Sequence, residues 1–271
     1  SGLHQTESHI CKSGKFFIVC IMKIKLTDIP VYYVNLEGED EKRKYTESML
    51  KNAGFKYVHR FNAIRHEAGR IIGCARSHYS ILSTVEPPFI ILEDDCALNK
   101  EFVDEIEVPE NVDGLYLGIS HWGRYMNHSG PHVHATKVND DLVRVYNMLA
   151  THAIGYFSKE YVEICSRVAY HHGYEIENHV DIGFAEIQKL YNVYCLDEPL
   201  FRQYEWSAIT TGRISEHAYD KEGAAKLYDE VWNDEGYYEI QNTEFKSPLK
   251  SFLMRRDVSG IPANFLPTKL L

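Results

Sequence analysis

Three features that this 271-residue chain lacks exclude or disfavour certain classes of protein. The six cysteines are scattered with no C-x-x-C pair, which excludes a zinc knuckle and a small disulfide scaffold. Basic residues are in deficit, and the formal net charge of −10 disfavours a nucleic-acid-binding surface, which is usually basic. The longest apolar run near the start, residues 16–22, is too short to cross a bilayer, and no later segment is long enough. We therefore expect a soluble, cytoplasmic protein with reduced thiols, and leave peripheral attachment to a membrane open.

The two ends of the chain differ from its middle. Residues 1–21 are expected to be a disordered tag or upstream extension, because Ser1-Gly2 resembles a cloning remnant and Met22 resembles a natural start. Residues 22–211 carry the regular pattern and are predicted to form the catalytic domain. Residues 212–271 are predicted to form a C-terminal helix and an irregular tail packed on that domain.

The middle of the chain alternates between short apolar runs and helical patterns, which predicts an α/β fold with a parallel sheet. A polar loop at 121–142 interrupts the alternation, and connections of that length are usually functional. Gly54 is placed where the residue after a helix usually adopts a left-handed conformation. The predicted strands are 30–36, 55–64, 88–92, 114–120, 143–157 and 193–200, and the predicted helices are 40–52, 71–85, 99–107, 158–173 and 180–191.

The most informative motif is Glu93-Asp94-Asp95, which ends the apolar run 88–92. In open α/β sheets ligands bind outside the carboxyl ends of the strands. Clustered carboxylates repel one another unless a cation or hydrogen-bond donors compensate them, and hard oxygen ligands suit Mg²⁺ or Mn²⁺. The structural alternative is that these acids, with Asn99 or Asp95, only cap the next helix.

The order of three motifs resembles glycosyltransferase family 25, which contains bacterial lipooligosaccharide and collagen galactosyltransferases. They are Asn35-Leu36 followed by Arg43, the segment GCARSH at 73–78, and LEDD at 92–95. Looser matches are HAIGY at 152–156, Val180-Asp181, and Gln203 with SAI at 207–209, where alanine replaces the family's usual acid. The resemblance covers about residues 30–210.

The resemblance implies a GT-A-like nucleotide-binding sandwich with a mostly parallel central sheet flanked by helices. It also implies an inverting, metal-dependent transfer of a hexose from UDP-galactose or UDP-glucose to a hydroxyl of a glycan, glycolipid or glycoprotein. Mn²⁺ or Mg²⁺ would be the cofactor. Two other functions stay open at this point: a metal-dependent phosphohydrolase, because clustered acids also serve two-metal hydrolysis, and an inactive glycan-binding module of the same fold.

The metal and catalytic assignments follow from the motif and the resemblance together. Asp95 is predicted to be the first metal ligand, Asp94 a second ligand or a ribose contact, and Glu93 a support. His217 is predicted as a further ligand, with a surface histidine as the alternative. Asp181 is predicted to be the general base, unless it only caps its helix.

Five further residues are predicted to bind the nucleotide. Ser77 and His78 would contact the diphosphate or order the loop, although a buried histidine bonded to backbone is the ordinary alternative. Arg43 and Arg76 would meet phosphate oxygens through their forked donors, unless Arg43 is only a solvated charge. Asn35 would hydrogen-bond a uracil edge.

Overall fold

A computed structural model describes residues 20–98, 101–120, 122–125, 128–130 and 133–203. The predictions for the first nineteen residues, for 204–271 and for His217 lie outside this part of the chain. None of the helices in the described part is both long and apolar enough to cross a membrane.

The described residues form an α/β fold. The helices are α1 (Asp40–Ala53), α2 (Arg70–Leu82), α3 (Lys159–Tyr170) and α4 (Val180–Ile187); a π-helical turn (His171–Glu175) follows α3. The strands are β1 (Ile21–Lys25), β2 (Val31–Asn35), β3 (Val58–Asn62), β4 (Phe89–Glu93), β5 (Cys96–Leu98), β6 (Glu105–Pro109), β7 (Gly114–Tyr116), β8 (Gly123–Tyr125), β9 (His128–Gly130), β10 (Ala135–Lys137), β11 (Leu142–Val145), β12 (Ala153–Tyr156), β13 (Val193–Leu196) and β14 (Phe201–Gln203).

Eight of these strands make the central sheet, in the order β10-β11-β13-β7-β12-β4-β2-β3. Strands β3, β2 and β4 run parallel, and β7 is parallel to β13. Strand β12 is antiparallel to both β4 and β7, and β10-β11-β13 pair antiparallel. The prediction of a mostly parallel sheet is therefore wrong, and the sheet is mixed. Parallel neighbours need a long crossover, usually a helix, and no helix of the described residues lies between β4 and β12.

The sequence predicted a helix near 99–107, which would have been such a crossover. Residues Glu105–Pro109 instead form β6, which pairs antiparallel with β1. Within β6, Ile106 and Val108 are buried while Glu105 and Glu107 are exposed, which is the two-residue alternation of a strand. The single strand predicted over 143–157 is also two strands, β11 and β12, and Ala150 between them has a positive φ of 126°.

Local sequence signals were more reliable at helix ends. Helix α1 carries acids in its first turn, which favours the positive end of the helix dipole. It ends as predicted at Gly54, which has a φ of 89° and donates its N–H to the last helical carbonyls. Helix α3 begins after Ser158, whose Oγ accepts a hydrogen bond from the Tyr161 N–H at 3.2 Å.

Strand β4 lies at the centre of the fold. Phe89 and Ile91 pack in a core beneath α2, α3 and α4, and Ile90 and Leu92 pack in a second core beneath α1. All four side chains are fully buried, and burying each one contributes about 1.5–3 kcal/mol. A strand fixed from both faces holds its carboxyl end rigidly, and that end carries Glu93.

Candidate active site

Three chain segments meet at the carboxyl end of β4. Strand β2 runs parallel to β4 with Val34 opposite Glu93, so Asn35 ends at the same edge. Strand β12 runs the other way, and the residues before it reach this edge from the opposite direction. The Glu93 N–H donates to the His152 carbonyl oxygen at 2.9 Å. The arrangement surrounds the three acids with side chains from β2, α2 and the start of β12.

Glu93 is held by three donors on one oxygen. Its Oε1 accepts from Thr151 Oγ1 at 2.6 Å, and it lies 3.3 Å from His78 Nε2 and 3.7 Å from Cys74 Sγ. Burial by itself raises the pKa of Glu93, but the hydrogen bonds from His78 and Thr151 outweigh it and hold the pKa well below its usual range. Glu93 is therefore a firmly ionised carboxylate with its position fixed.

Asp94 is held from the side of β2 and α1. Asn35 Nδ2 donates to Asp94 Oδ2 at 2.7 Å, and Lys42 Nζ lies 3.9 Å from the other oxygen, Oδ1. Burial raises the pKa of Asp94, while the bond from Asn35 and the charge of Lys42 oppose that rise. A hydrogen bond thus fixes one oxygen of Asp94, and the other oxygen faces the Lys42 ammonium group.

Asp95 has one anchored oxygen and one without a partner. Gln203 Nε2 donates to Asp95 Oδ2 at 2.9 Å, because the antiparallel pairing of β14 with β5 brings Gln203 opposite Cys96. Asp95 Oδ1 is buried with no hydrogen-bond partner among the described residues. Burial and the neighbouring Glu93 charge raise the pKa of Asp95 to about 7. A buried carboxylate oxygen without a partner is costly unless something neutralises it.

The acid oxygens fit a hard divalent cation. Among the described residues, Asp95 Oδ1 has no hydrogen-bond partner and Asp94 Oδ1 lies 3.9 Å from Lys42 Nζ. Both are oxygen donors of the type that Mg²⁺ and Mn²⁺ prefer. Asp94 and Asp95 are the two ligands that the sequence predicted, and this assignment stays a prediction. The third ligand that the sequence predicted, His217, lies outside the described residues.

Asp181 is located in the first turn of α4. His179 is the N-cap residue of α4, but the Asp181 carboxylate accepts backbone hydrogen bonds within the first turn, so both the catalytic and the capping interpretation stay predictions. Burial raises the pKa of Asp181, and the charge of Glu93 adds to the rise. Asp181 is thus close enough to Glu93 to interact electrostatically, and a raised pKa makes its carboxylate a stronger proton acceptor than an exposed aspartate.

The GCARSH segment (residues 73–78) on α2 contacts the preceding loop with one set of residues and Glu93 with another. Gly73 packs against the preceding loop so closely that a Cβ would lie 2.2 Å from the Ile64 carbonyl oxygen. Ser77 Oγ donates to Gly73 O at 2.7 Å and accepts from the Ile64 N–H at 2.9 Å. Cys74 and His78, one turn apart, face Glu93. Gly73 and Ser77 therefore pack α2 against the preceding loop, and Cys74 and His78 support the acidic motif.

Three residues predicted to bind the nucleotide are engaged elsewhere. Arg76 points to the opposite side of α2, where it donates to Gly173 O at 2.8 Å and lies over the Tyr174 ring at 4.4 Å. Arg43 pairs with Asp40 at 2.9 Å on the surface of α1. Ser77 is fully buried in the helix contact. The structure does not bring these three side chains to the acidic motif.

Asn35 reaches the site but is fully occupied. Only 1% of its surface is exposed. Its amide donates to Asp94 and to the Glu39 carbonyl, and its Oδ1 accepts from Arg60 Nε at 2.9 Å. An amide with all these bonds made supports Asp94 rather than presenting a free edge to a nucleobase.

Sequence reasoning missed four residues of this site: Lys42, Thr151, Gln203 as a contact of Asp95, and Cys74. Lys42 adjoins the predicted Arg43, and the helical phase of α1 decides which of them faces Asp94. Thr151 precedes the family-like HAIGY stretch and had no signal of its own. Cys74 stands inside the GCARSH segment, one helical turn before His78, and that spacing was the available signal.

A family model described as "Glycosyltransferase family 25 (LPS biosynthesis protein)" matches residues 36–198, more than half of the chain. The matched range contains the acidic motif, the GCARSH segment and Asp181. A comparison with curated proteins gave no match. The match agrees with the arrangement of acids at the end of β4, and the chain therefore belongs to glycosyltransferase family 25.

Proposed function

We propose that this glycosyltransferase moves a hexose from a UDP-sugar, UDP-galactose or UDP-glucose, to a hydroxyl of a glycan or glycoconjugate, with Mn²⁺ or Mg²⁺ as cofactor. The observation that carries the proposal is the buried Oδ1 of Asp95 beside Asp94 at the carboxyl end of β4, which has no hydrogen-bond partner in the part of the chain that the structure describes. That edge is where nucleotides bind in α/β sheets.

The metal would supply Lewis-acid neutralisation of the leaving diphosphate. Asp94 and Asp95 would hold it through their Oδ1 atoms, while Asn35 and Gln203 fix the two Oδ2 atoms. Lys42, 3.9 Å from Asp94 Oδ1, adds a positive charge on the same side. Positions fixed before substrate arrives reduce the reorganisation needed in the transition state.

Asp181 is proposed as the general base. It accepts the proton of the acceptor hydroxyl, the hydroxyl oxygen bonds to the anomeric carbon, and the bond from that carbon to the UDP oxygen breaks. Attack from the face opposite UDP inverts the anomeric centre. The raised pKa of Asp181, caused first by burial, supports this role because it makes the carboxylate a stronger proton acceptor.

The acceptor is proposed to be a saccharide, in keeping with the description of the family as lipopolysaccharide biosynthesis proteins. A nucleic-acid acceptor is disfavoured by the net charge of −10. A cytoplasmic site of action is part of the same proposal.

The test is release of UDP from a panel of UDP-sugars with water or simple sugars as acceptors, in the presence of Mn²⁺. We expect slow release that EDTA abolishes and that Asp95→Asn lowers at least tenfold. Asp140→Asn is the matched control, because the Asp140 side chain is 98% exposed and remote in sequence from the motif. Activity that survives both EDTA and Asp95→Asn would overturn the metal proposal, and phosphate release from simple esters would point to a hydrolase instead.

A further inference from the structure

A second cluster of potential metal ligands is formed by Glu93 of the acidic motif and two residues of α2. Cys74, His78 and Glu93 each offer one ligand atom, and the three atoms lie within 4.8 Å of one another. His78 Nε2 is 3.3 Å from Glu93 Oε1, and Cys74 Sγ is 3.7 Å from the same oxygen. The cluster contains sulfur and nitrogen, unlike the oxygens of Asp94 and Asp95.

The two distances to Glu93 Oε1 are close to those between ligands around a small tetrahedral ion. Zinc bonds of about 2.0–2.3 Å at tetrahedral angles place neighbouring ligand atoms about 3.3–3.6 Å apart. Cys74 and His78 are four residues apart on α2, a spacing that puts both side chains on one helix face. Glu93 is fixed at the end of a fully buried strand, so rigid elements hold all three ligands.

The charges also balance. Burial and the Glu93 charge raise the pKa of the Cys74 thiol, so metal binding would have to displace its proton to solvent. The resulting thiolate and the Glu93 carboxylate then supply two negative charges, a neutral His78 supplies none, and a divalent cation cancels the sum. Thiolate and imidazole ligands select Zn²⁺ and similar borderline ions over Mg²⁺ and Mn²⁺. His78 is fully buried, and Cys74 is partly buried.

We propose that Cys74, His78 and Glu93 form a second metal site for a borderline-soft dication of the Zn²⁺ class, separate from the oxygen site of Asp94 and Asp95. The fourth position would be taken by water, because Thr151 Oγ1 lies only 2.6 Å from Glu93 Oε1, at hydrogen-bond distance. His78 Nδ1 has no hydrogen-bond partner among the described residues. Tight zinc sites usually have a partner there, so we expect an exchangeable ion. The inference does not rest on the proposed transfer reaction.

The test uses Co²⁺ as a spectroscopic substitute for zinc on the EDTA-treated, reduced full chain. We expect one equivalent of Co²⁺ to give tetrahedral ligand-field bands and a thiolate-to-cobalt charge-transfer band, both removed by Zn²⁺ and retained in excess Mn²⁺. Cys74→Ser should abolish the charge-transfer band, and Glu93→Gln should weaken Co²⁺ binding at least tenfold.

The control is a Cys11→Ser, Cys20→Ser double variant, which should keep the full spectrum because Cys20 is exposed and far from the cluster in sequence. If Glu93→Gln fails to fold, the Cys74→Ser variant decides, with circular dichroism to confirm that it folds. A folded wild-type chain without the band, or a Cys74→Ser variant that keeps it, would overturn the inference. UDP release with Mn²⁺ alone is measured separately, so failure of either proposal is distinguishable.

Discussion

Asn35 Nδ2 donates a 2.7 Å hydrogen bond to Asp94 Oδ2, and this bond joins the carboxyl ends of β2 and β4. The same amide accepts from Arg60 on β3. Three neighbouring parallel strands are thus tied together at the edge where the acids lie. The bond fixes one oxygen of Asp94 and leaves the other facing Lys42.

Asn35→Ala is expected to lower the free energy of unfolding by about 1–3 kcal/mol, because it leaves buried partners unsatisfied. It should also weaken Mn²⁺-dependent UDP release, since Asp94 loses its anchor. Urea denaturation and UDP release measure the two effects. Asn52→Ala on the exposed face of α1 is the control and should change neither. An Asn35→Ala variant as stable as the control would contradict the role assigned to this amide.

Asp95 should make the metal-free protein less stable as the pH rises. Its pKa in the folded state is raised to about 7 by burial and by Glu93, whereas an aspartate in the unfolded chain titrates near about 4. Between these values the folded state holds the extra proton, so the free energy of unfolding falls as pH increases.

Asp94, Asp181 and Glu186 act in the same direction, because burial raises their pKa values too. His152 opposes them, because burial lowers its pKa.

Asp95→Asn isolates the contribution of this one carboxyl group. The free energy of unfolding of the variant should change less between about pH 4 and pH 7 than that of wild type. Above pH 7, without divalent cations, the variant should have the higher melting temperature. A domain of this size shifts by about 2–4 °C for each kcal/mol. Mn²⁺ should raise the melting temperature of wild type but not of the variant. Parallel pH profiles for the two proteins would count against this account.

Asp181→Asn is expected to lower sugar transfer by about 10²–10⁴-fold, the usual contribution of a general base. Binding of Mn²⁺ and UDP should be unchanged, because Asp181 is not assigned to either. Glu163→Gln, on the exposed surface of α3, serves as control. Isothermal titration with UDP and Mn²⁺ separates binding from transfer. If Asp181→Asn transfers sugar at the wild-type rate, the base must be another residue.

Gly73→Ala tests the docking of α2. The added Cβ would lie 2.2 Å from Ile64 O, a backbone atom that cannot move without displacing the loop. Overpacking of this kind costs about 1–3 kcal/mol or more, and the displacement should also disturb Cys74 and His78 beside Glu93. Gly38→Ala is the comparison: Gly38 has a φ of 92° but open space for a Cβ, so only the backbone conformation is penalised, by about 1–2 kcal/mol. Urea denaturation should rank Gly73→Ala as the more damaging change.

Local patterns in the sequence predicted local features well. The apolar run before the acids is β4, the signals around 40–54 give α1 with its left-handed Gly54, and Ser158 precedes α3. The error near 99–107 has a physical cause. A strand such as β6 is stabilised by a partner, β1, that is some eighty residues away in sequence, and no short window contains that partner.

The sequence by itself determined that this chain carries three acids at the end of a buried strand and the motif order of a glycosyltransferase. Those properties depend on residue type and short-range spacing. Only the tertiary structure decided which side chains serve the acids. Whether Lys42 or Arg43 faces Asp94, and whether His78 or Arg76 faces Glu93, depends on how each helix is rotated against the sheet. Thr151 and Gln203 reach the motif through strand pairings across 58 and 108 residues, and contacts of that range exist only after the chain has folded.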